Sequence, residues 1–351
     1  MTIDLLALSE TFVLSAVKTI RHKSLISGMQ WSTEFTIPES QFPISHQSKI
    51  LSMGSCFAQT IGQKMIDAKM DCLVNPFGTI FHPMILGDLL DHAIFQDKLE
   101  ENGILEREGL YFYLGVHSDL HAESPEELKQ KYAHQLSSVR QYLETGSHLI
   151  LTFGTAWIYE TEDFGRVANC HKLPQKQFSK KLVPLDEMEF HFNHIFGNIS
   201  RAFPNLKIIL TVSPVRHIKD GIPENQLSKS LLRVLCSQLE NKFSFVSYYP
   251  AYEVMMDELR DYRFYKKDLI HPSEEAEDYI WEKWSNSYFS NETQAKVLEL
   301  QKIKLELAHR ALNPKSEGHH KFLNNLLQKL ERLNREFDFS KEIKSLNPRR
   351  V

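Results

Sequence analysis

Residues 49–58 read KILSMGSCFA, and this stretch decides the fold of the chain. The apolar run at 49–53 ends in Gly54-Ser55-Cys56, and apolar residues then recur at helical spacing as far as Met70. The pattern predicts a strand, a tight turn and a helix, with Ser55 in the turn. A serine there can direct its oxygen out of the sheet, and the helix start offers backbone N–H groups to an anion. A Gly-Ser after a strand is more often only a turn with an N-cap, so Ser55 needs a partner elsewhere in the chain.

The alternation of strand and helix continues beyond this stretch. Two unbroken apolar runs, 148–153 and 207–214, are typical of strands buried on both faces, and shorter strands are predicted at 72–74 and 243–249. Helical segments separate these runs. Strands that alternate with helices predict an α/β fold whose sheet is mostly parallel and covered on both faces.

Several loop signals fall just beyond the predicted strand ends. Ser55, Gly78, Gly154 and Pro214 all hold such a position. Because ligands of open α/β sheets bind at the carboxyl ends of the strands, one crevice can collect all four loops.

The chain is predicted to have three parts. Residues 29–290 form the α/β domain, and the charged, amphipathic pattern of 291–351, broken by Asn313-Pro314, predicts a helical hairpin as a C-terminal appendage. Residues 1–28 are an N-terminal extension of uncertain status, because Met29 could itself be a natural start. Their apolar stretch is preceded by acidic residues, which favours an amphipathic helix over a signal peptide.

Composition narrows the classes of partner. The 41 basic and 45 acidic residues are interspersed, so nucleic acid is not an expected partner, and no apolar run is long enough to span a membrane. The four cysteines are far apart and form no CxxC pair, which predicts a cytoplasmic protein without a disulfide frame, a zinc site or a cofactor. The oligomeric state is left open by the sequence.

A possible partner for Ser55 lies in the segment Asp268-Leu269-Ile270-His271-Pro272. A serine hydroxyl needs a base to take its proton, and the base needs a carboxylate to fix its tautomer. The spacing of three residues lets Asp268 and His271 meet in a tight turn, and Pro272 suits the start of the helix that follows. The alternative is that Asp268 caps that helix and His271 is a surface histidine.

Six separate blocks of the chain resemble those of one family, the GSCFA family, which is grouped with the SGNH (GDSL-like) hydrolases. The resemblance covers roughly residues 31–284. The blocks are GSCFA at 54–58, NPFG at 75–78, TFGTAW at 152–157, NCHK at 169–172, VSPVRH at 212–217 and DLIHPS at 268–273.

The resemblance implies a three-layer SGNH-like sandwich with Ser55 as nucleophile and Asp268 and His271 completing a catalytic triad. It also implies that the backbone N–H groups of Ser55 and Gly78 contribute to an oxyanion hole. The chain departs from the SGNH pattern where an asparagine usually follows glycine, because it reads Gly154-Thr155. Thr155 and Asn169 are the candidates for this donor, and the two-donor amide of Asn169 is slightly favoured.

Three other groups of residues have competing interpretations. The Cys56 thiol is intrinsically more nucleophilic than a hydroxyl, but the resemblance places the reacting oxygen at Ser55. His117, Asp119 and His121 could suggest a metal site, yet no further ligand block accompanies them, so no metal is predicted. For His171 and His217, near strand-end loops, packing or substrate contact is favoured over a role as base.

The sequence thus predicts a serine-dependent esterase that acts on an acylated carbohydrate or a small ester. An acyl-enzyme would form at Ser55, with His271 as the base. Acyl transfer to a sugar differs only in what attacks this intermediate. The alternative of another class is a non-catalytic binding module on the same fold.

Overall fold

The computed structural model describes residues 33–309 and 311–346, so the predicted extension at 1–28 lies outside the described residues. Within this part of the chain the strands are β1 (Lys49–Gly54), β2 (Asp71–Val74), β3 (Ile104–Arg107), β4 (Leu110–Tyr113), β5 (His121–Ala122), β6 (His148–Phe153), β7 (Trp157–Thr161), β8 (Gly165–Val167), β9 (Ser179–Leu182), β10 (Lys207–Val212) and β11 (Val246–Tyr249). The helices are α1 (Cys56–Asp67), α2 (Pro83–Phe95), α3 (Pro125–Thr145), α4 (Leu185–Ala202), α5 (Ile222–Lys242), α6 (Ala251–Glu253), α7 (Glu274–Tyr288), α8 (Asn291–Ala308), α9 (Glu317–Leu333) and α10 (Ser340–Leu346).

The central sheet has five strands in the order β11-β10-β6-β1-β2, and every neighbouring pair is parallel. In its register Gly54 lies opposite Thr152, and Thr152 lies opposite Thr211. The predicted α/β fold with a mostly parallel sheet is confirmed. Because the strands are parallel, the residues that follow β1, β6 and β10 all emerge at the same edge.

Both faces of this sheet are apolar and covered by helices. Alternate strand residues point to opposite faces, so Leu51 and Leu151 pack under helices α2 to α5, whereas Ile50 and Ile150 pack under α1 and α7. The unbroken apolar runs of β1, β6 and β10 follow from this double burial. The architecture is that of a three-layer α/β sandwich.

The structure adds elements that the sequence pattern did not indicate. Strands β8-β7-β9 form an antiparallel sheet between β6 and α4, and β5 extends the hairpin of β3 and β4 to a three-stranded sheet. The last strand of the central sheet also begins later than 243. Phe243 caps α5 through its N–H to the Leu239 carbonyl, and its ring packs on Phe196, so strand pairing starts only at Val246.

The C-terminal helices α8, α9 and α10 enclose a small apolar core of their own. Contacts also join them to the sandwich. Lys304 pairs with Asp67 of α1, and the Lys69 ammonium lies 2.9 Å from the Glu342 carboxylate. None of the helices described here, over 33–309 and 311–346, is both long and apolar enough to cross a membrane.

We expect Gly54→Ala to destabilise the protein strongly, because the added Cβ would lie 2.3 Å from the Thr152 carbonyl oxygen and the backbone φ is +145°. Strain of this kind lowers the free energy of unfolding by about 2 kcal/mol or more, measured by urea denaturation. Gly197→Ala in α4 is the matched control, because a Cβ there meets no atom within 4 Å. That change should leave stability unchanged or raise it by up to about 1 kcal/mol. A Gly54→Ala protein as stable as the parent would contradict the close approach.

Candidate active site

The turn between β1 and α1 fixes Ser55 at the start of a helix. The Ser55 Oγ accepts the Phe57 N–H at 3.2 Å, and the Ser55 carbonyl accepts the Ala58 N–H at 2.8 Å. The Cys56 N–H at the first helical position has no hydrogen-bond partner among the described residues. It is the one of these first N–H groups left for a ligand.

The Ser55 side chain is fully buried, with 0% exposure. Its Oγ is an acceptor in the N-cap, but a hydroxyl also carries one proton that it can donate. The N-cap is therefore compatible with transfer of that proton to a base. Among the described residues no hydrogen bond joins Ser55 to His271.

Asn75, in the turn after β2, holds the end of β1 in place. Its Oδ1 accepts the Gly54 N–H at 2.8 Å, and its Nδ2 donates to Gln59 of α1 at 3.3 Å. Its φ of +43° lies in the left-handed region, which asparagine tolerates better than most residues. The sequence gave this segment a role only through Gly78 and did not predict the contacts of Asn75.

Asp268 and His271 form the predicted pair. The His271 Nδ1 lies 2.8 Å from Asp268 Oδ2, while Asp268 Oδ1 accepts the N–H groups of His271 and Ile270 at 3.0 and 2.9 Å. These hydrogen bonds to the carboxylate lower the pKa of Asp268 to about 2. Asp268 therefore stays ionised at neutral pH and holds His271 with Nε2 free to act.

The loop that carries this pair is attached to the end of β10. The Arg216 N–H donates to the Ile270 carbonyl at 3.2 Å, and the Arg216 guanidinium donates to the Leu269 carbonyl at 3.2 Å. Leu269 has a φ of +59°, a left-handed conformation within this turn. Arg216 belongs to the VSPVRH block, in which the sequence indicated a role only for His217, in packing or substrate contact.

Contacts between strand-end loops connect the turn of Ser55 to the loop after β10. The Ile80 N–H donates to the Gly54 carbonyl at 2.9 Å, and the Phe81 carbonyl accepts the N–H groups of Gly154 and Thr155 at 2.7 and 3.1 Å. The Phe81 ring in turn contacts the His217 ring. These contacts bring the loops after β1, β2, β6 and β10 to one edge.

The N–H groups predicted for the oxyanion hole have partners in this arrangement. The Ser55 N–H donates to the Thr152 carbonyl at 3.1 Å, and the Gly78 N–H donates to the Asn75 carbonyl at 2.8 Å. Their role in an oxyanion hole therefore stays a prediction and requires these bonds to open.

The two side chains predicted as the further oxyanion donor differ in availability. The Thr155 Oγ1 accepts the Trp157 N–H at 3.1 Å and lies 3.2 Å from the Ser228 Oγ, whereas the Asn169 Oδ1 accepts the His171 N–H at 2.8 Å. The Asn169 amide nitrogen has no partner among the described residues. The Thr155 hydroxyl is thus held by two contacts within the fold, whereas the Asn169 amide nitrogen is available to a ligand.

Helix α5 supports the loops with a row of buried polar side chains that sequence reasoning missed. The Asn225 Oδ1 accepts the His217 N–H at 2.7 Å, and the Ser228 Oγ accepts the Ala156 N–H at 2.8 Å. The Lys229 ammonium donates to the carbonyls of Gly154 and Ser213, both at 2.7 Å. The spacing i, i+3, i+4 puts the three side chains on one face, and that polar stripe is the signal that could have revealed them.

The comparison with protein-family models matches residues 49–284, more than half of the chain, to the model described as the GSCFA family. The chain belongs to the GSCFA family. A second model, described as GSCFA domain protein, C-terminal domain, matches residues 300–349. The comparison with curated proteins gave no match, and neither did the comparison with solved structures.

The GSCFA match contains Ser55, Asp268 and His271 as well as the cysteine next to the serine. Burial raises the pKa of the Cys56 thiol, although Lys266 opposes this effect, so the thiol is less readily ionised than a free one. The arrangement of Cys56 thus offers no activated thiolate.

The histidines that could suggest a metal site border the turn of Gly78: His117 packs against Gly78, and His121 lines the same cavity as Asn75. The His117 Nδ1 lies 3.1 Å from the Asp119 carboxylate, and the His121 Nδ1 lies 3.1 Å from the Ser118 carbonyl. In the described part of the chain, no cluster of three or more His, Cys, Asp or Glu side chains is placed to hold a metal ion.

We expect Lys229→Met to change how stability depends on pH. Burial lowers the pKa of Lys229 from 10.5 to about 7. Between these values the unfolded chain keeps a proton that the folded chain has lost, so the contribution of Lys229 to the free energy of unfolding rises with pH. Urea denaturation of both proteins from pH 7 to 10 should show the parent gaining stability relative to the variant.

The exposed Lys242 on the same helix supplies the control. The gain of the parent with pH should be larger relative to Lys229→Met than relative to Lys242→Met, which makes the same change of side chain at an exposed position. A difference between the parent and Lys229→Met that does not vary with pH would contradict the assignment.

Proposed function

We propose that this chain is a serine-dependent ester hydrolase of the SGNH (GDSL-like) type, with Ser55 as nucleophile, His271 as base and Asp268 as the orienting carboxylate. The observation that carries the proposal is the Asp268–His271 pair, in which one carboxylate accepts the imidazole N–H and two backbone N–H groups. The hydrogen bonds of Arg216 hold this pair at the sheet edge from which Ser55 emerges.

The proposed reaction has two proton-balanced steps. His271 Nε2 takes the Ser55 hydroxyl proton as Oγ attacks the ester carbonyl, and returns it to the leaving alcohol as the C–O bond breaks. Water then gives a proton to His271 and attacks the acyl-enzyme, and that proton returns to Ser55 Oγ as the acid leaves. Asp268 stays ionised and stabilises the imidazolium formed in each step.

Access to the nucleophile is part of the proposal. Ser55 Oγ is fully buried and bonded to the Phe57 N–H, so a substrate reaches it only when the covering loops open. A polar cavity of about 400 Å³ adjoins the turn at Asn75 and Gly78. It is lined by amide, hydroxyl and charged groups, among them Gln59, Thr79 and Gln135, which suits the hydroxyl-rich alcohol of an acylated carbohydrate better than a long acyl chain.

The second candidate function is a non-catalytic binding module. The observation that favours it is the same burial of Ser55, together with the lack of a Ser55–His271 hydrogen bond among the described residues. Labelling with a fluorophosphonate separates the two, because only an activated serine reacts. Acyl transfer to a sugar is the close variant of the hydrolase, and a sugar acceptor added to the assay would reveal it by forming a new ester at the expense of free acid.

We expect Ser55→Ala to abolish ester turnover while the protein still folds, with the free energy of unfolding lowered by about 1 kcal/mol because the change also removes the N-cap acceptor of the Phe57 N–H. His271→Ala should be nearly as damaging, with losses on the order of 10³-fold or more in kcat for members of a triad. Asp268→Asn should be damaging through the wrong imidazole tautomer. The assay is hydrolysis of p-nitrophenyl acetate and of a panel of acetylated sugars.

The double variant Ser55→Ala/His271→Ala tests whether the two residues act as one unit. Its loss should match that of the single variants rather than multiply them. Cys56→Ala is the matched control at the neighbouring position and should retain turnover. Turnover that survives Ser55→Ala, or fluorophosphonate labelling at another residue, would overturn the proposal.

A further inference from the structure

His217, just beyond the end of β10, has a buried ring nitrogen that the proposed reaction leaves unused. Its Nε2 is shielded from solvent and has no hydrogen-bond partner among the described residues. A buried polar atom without a partner destabilises a folded protein, so it points to a ligand that completes it.

The ring is held in place on several sides. The backbone N–H of His217 donates to Asn225 Oδ1 at 2.7 Å. The His217 ring meets the Phe81 ring edge-on, with the centroids 5.2 Å apart. The Phe81 carbonyl binds the N–H groups of Gly154 and Thr155, at the end of β6. His217 is therefore fixed between the ends of β6 and β10.

The electrostatic surroundings of His217 keep its ring neutral. Burial, together with the charges of Lys229, His271 and Lys180, lowers the pKa of His217 to about 3. A neutral imidazole has one N–H donor and no charge of its own, which makes it a suitable donor to an oxygen that becomes negative.

Geometry favours His217 over the side chains predicted from the sequence. Thr155 uses its hydroxyl oxygen to bind the Trp157 N–H. The Asn169 Oδ1 accepts the His171 N–H, and the His171 ring contacts Ser118 and Phe112; none of these contacts joins Asn169 to the loop of Asp268 and His271. His217 instead follows Arg216, which binds the loop of Asp268 and His271 directly.

We propose that His217 is a catalytic residue whose Nε2–H donates a hydrogen bond to the substrate carbonyl oxygen as it becomes the oxyanion. The inference rests on the proposed function and supplies the side-chain donor for which the chain has no asparagine after Gly154. No proton is transferred in this contact: the ring keeps its single proton on Nε2, and the hydrogen bond strengthens as the C=O bond electrons move to oxygen.

The test compares His217→Leu, which fills the site without a donor, with His217→Gln, which retains an N–H donor. Loss of one oxyanion donor typically lowers kcat by about 10²- to 10³-fold, with little change in KM. We expect that loss for His217→Leu on p-nitrophenyl acetate and a smaller one for His217→Gln. If His217→Leu does not fold, His217→Phe keeps the aromatic contact with Phe81 and lacks the donor.

A matched control separates catalysis from the loss of a buried imidazole. His148 is buried at the opposite end of β6, where its ring bonds Ser147 and the Phe42 carbonyl. His148→Leu should lower the melting temperature but leave kcat within about threefold, since it lies far from the reacting atoms. A loss of kcat by about 10²- to 10³-fold in Asn169→Ala or Thr155→Val, with full kcat in His217→Leu, would instead assign the side-chain donor to that residue and overturn the role of His217.

The experiment distinguishes failure of the role of His217 from failure of the proposed function. Ser55-dependent turnover that persists at full kcat in His217→Leu, or an equal loss in His217→Gln and His217→Leu, would overturn the role of His217 alone. Turnover that does not depend on Ser55 would overturn the proposed function and this inference with it.

Discussion

The contact between the end of β1 and the end of β6 constrains every other feature of the candidate site. Gly54 lies opposite Thr152 in the parallel register, so close that a Cβ would lie 2.3 Å from the Thr152 carbonyl oxygen. The same oxygen accepts the Ser55 N–H. Because only glycine permits this approach, Ser55 begins α1 at a fixed position on the sheet, and Asn75 and Ile80 bind the same turn from the neighbouring loop.

The faces of the sheet and its carboxyl edge are held by different forces. On the faces, alternate apolar residues pack under two layers of helices. At the edge, buried polar side chains such as Asn75 and Lys229 bind the carbonyl and N–H groups that the loops leave unpaired. A buried polar group without a hydrogen bond lowers the stability of the fold. Each loop therefore adopts an arrangement in which its N–H and carbonyl groups are hydrogen-bonded. Asn75, His171 and Leu269, three of the non-glycine residues with positive φ, fall in these loops, where such bonds can hold a strained backbone.

The sequence predicted the parts of the molecule that depend on local pattern. Unbroken apolar runs indicated the buried parallel strands, and the three-residue spacing of Asp268 and His271 predicted a contact that the structure contains. The role of α5 could not be predicted in this way, because Lys229 binds carbonyls 75 and 16 residues distant in the chain. The sequence also could not predict that the N–H groups of Ser55 and Gly78 are hydrogen-bonded, because this depends on how the turns pack in the folded chain. The short strands β7 to β9 carry no apolar run strong enough to mark a sheet.

The charges around the site bear on how the proposed reaction would be accelerated. Burial raises the pKa of Cys56 and of Cys170, and the charged side chains that act on these thiols are Lys266 for the first and Lys180 and Lys219 for the second. Positive charges near the reacting atoms stabilise a neutral ester little and an oxyanion more. Only an interaction that is stronger in the transition state than in the bound ester lowers the barrier. The same step would protonate His271, whose new charge is offset by Asp268. With a neutral His217 as donor, the oxyanion gains a hydrogen bond without adding a further cation beside the imidazolium. This separation of charge would make the buried edge of the sheet complementary to the tetrahedral intermediate rather than to the bound ester.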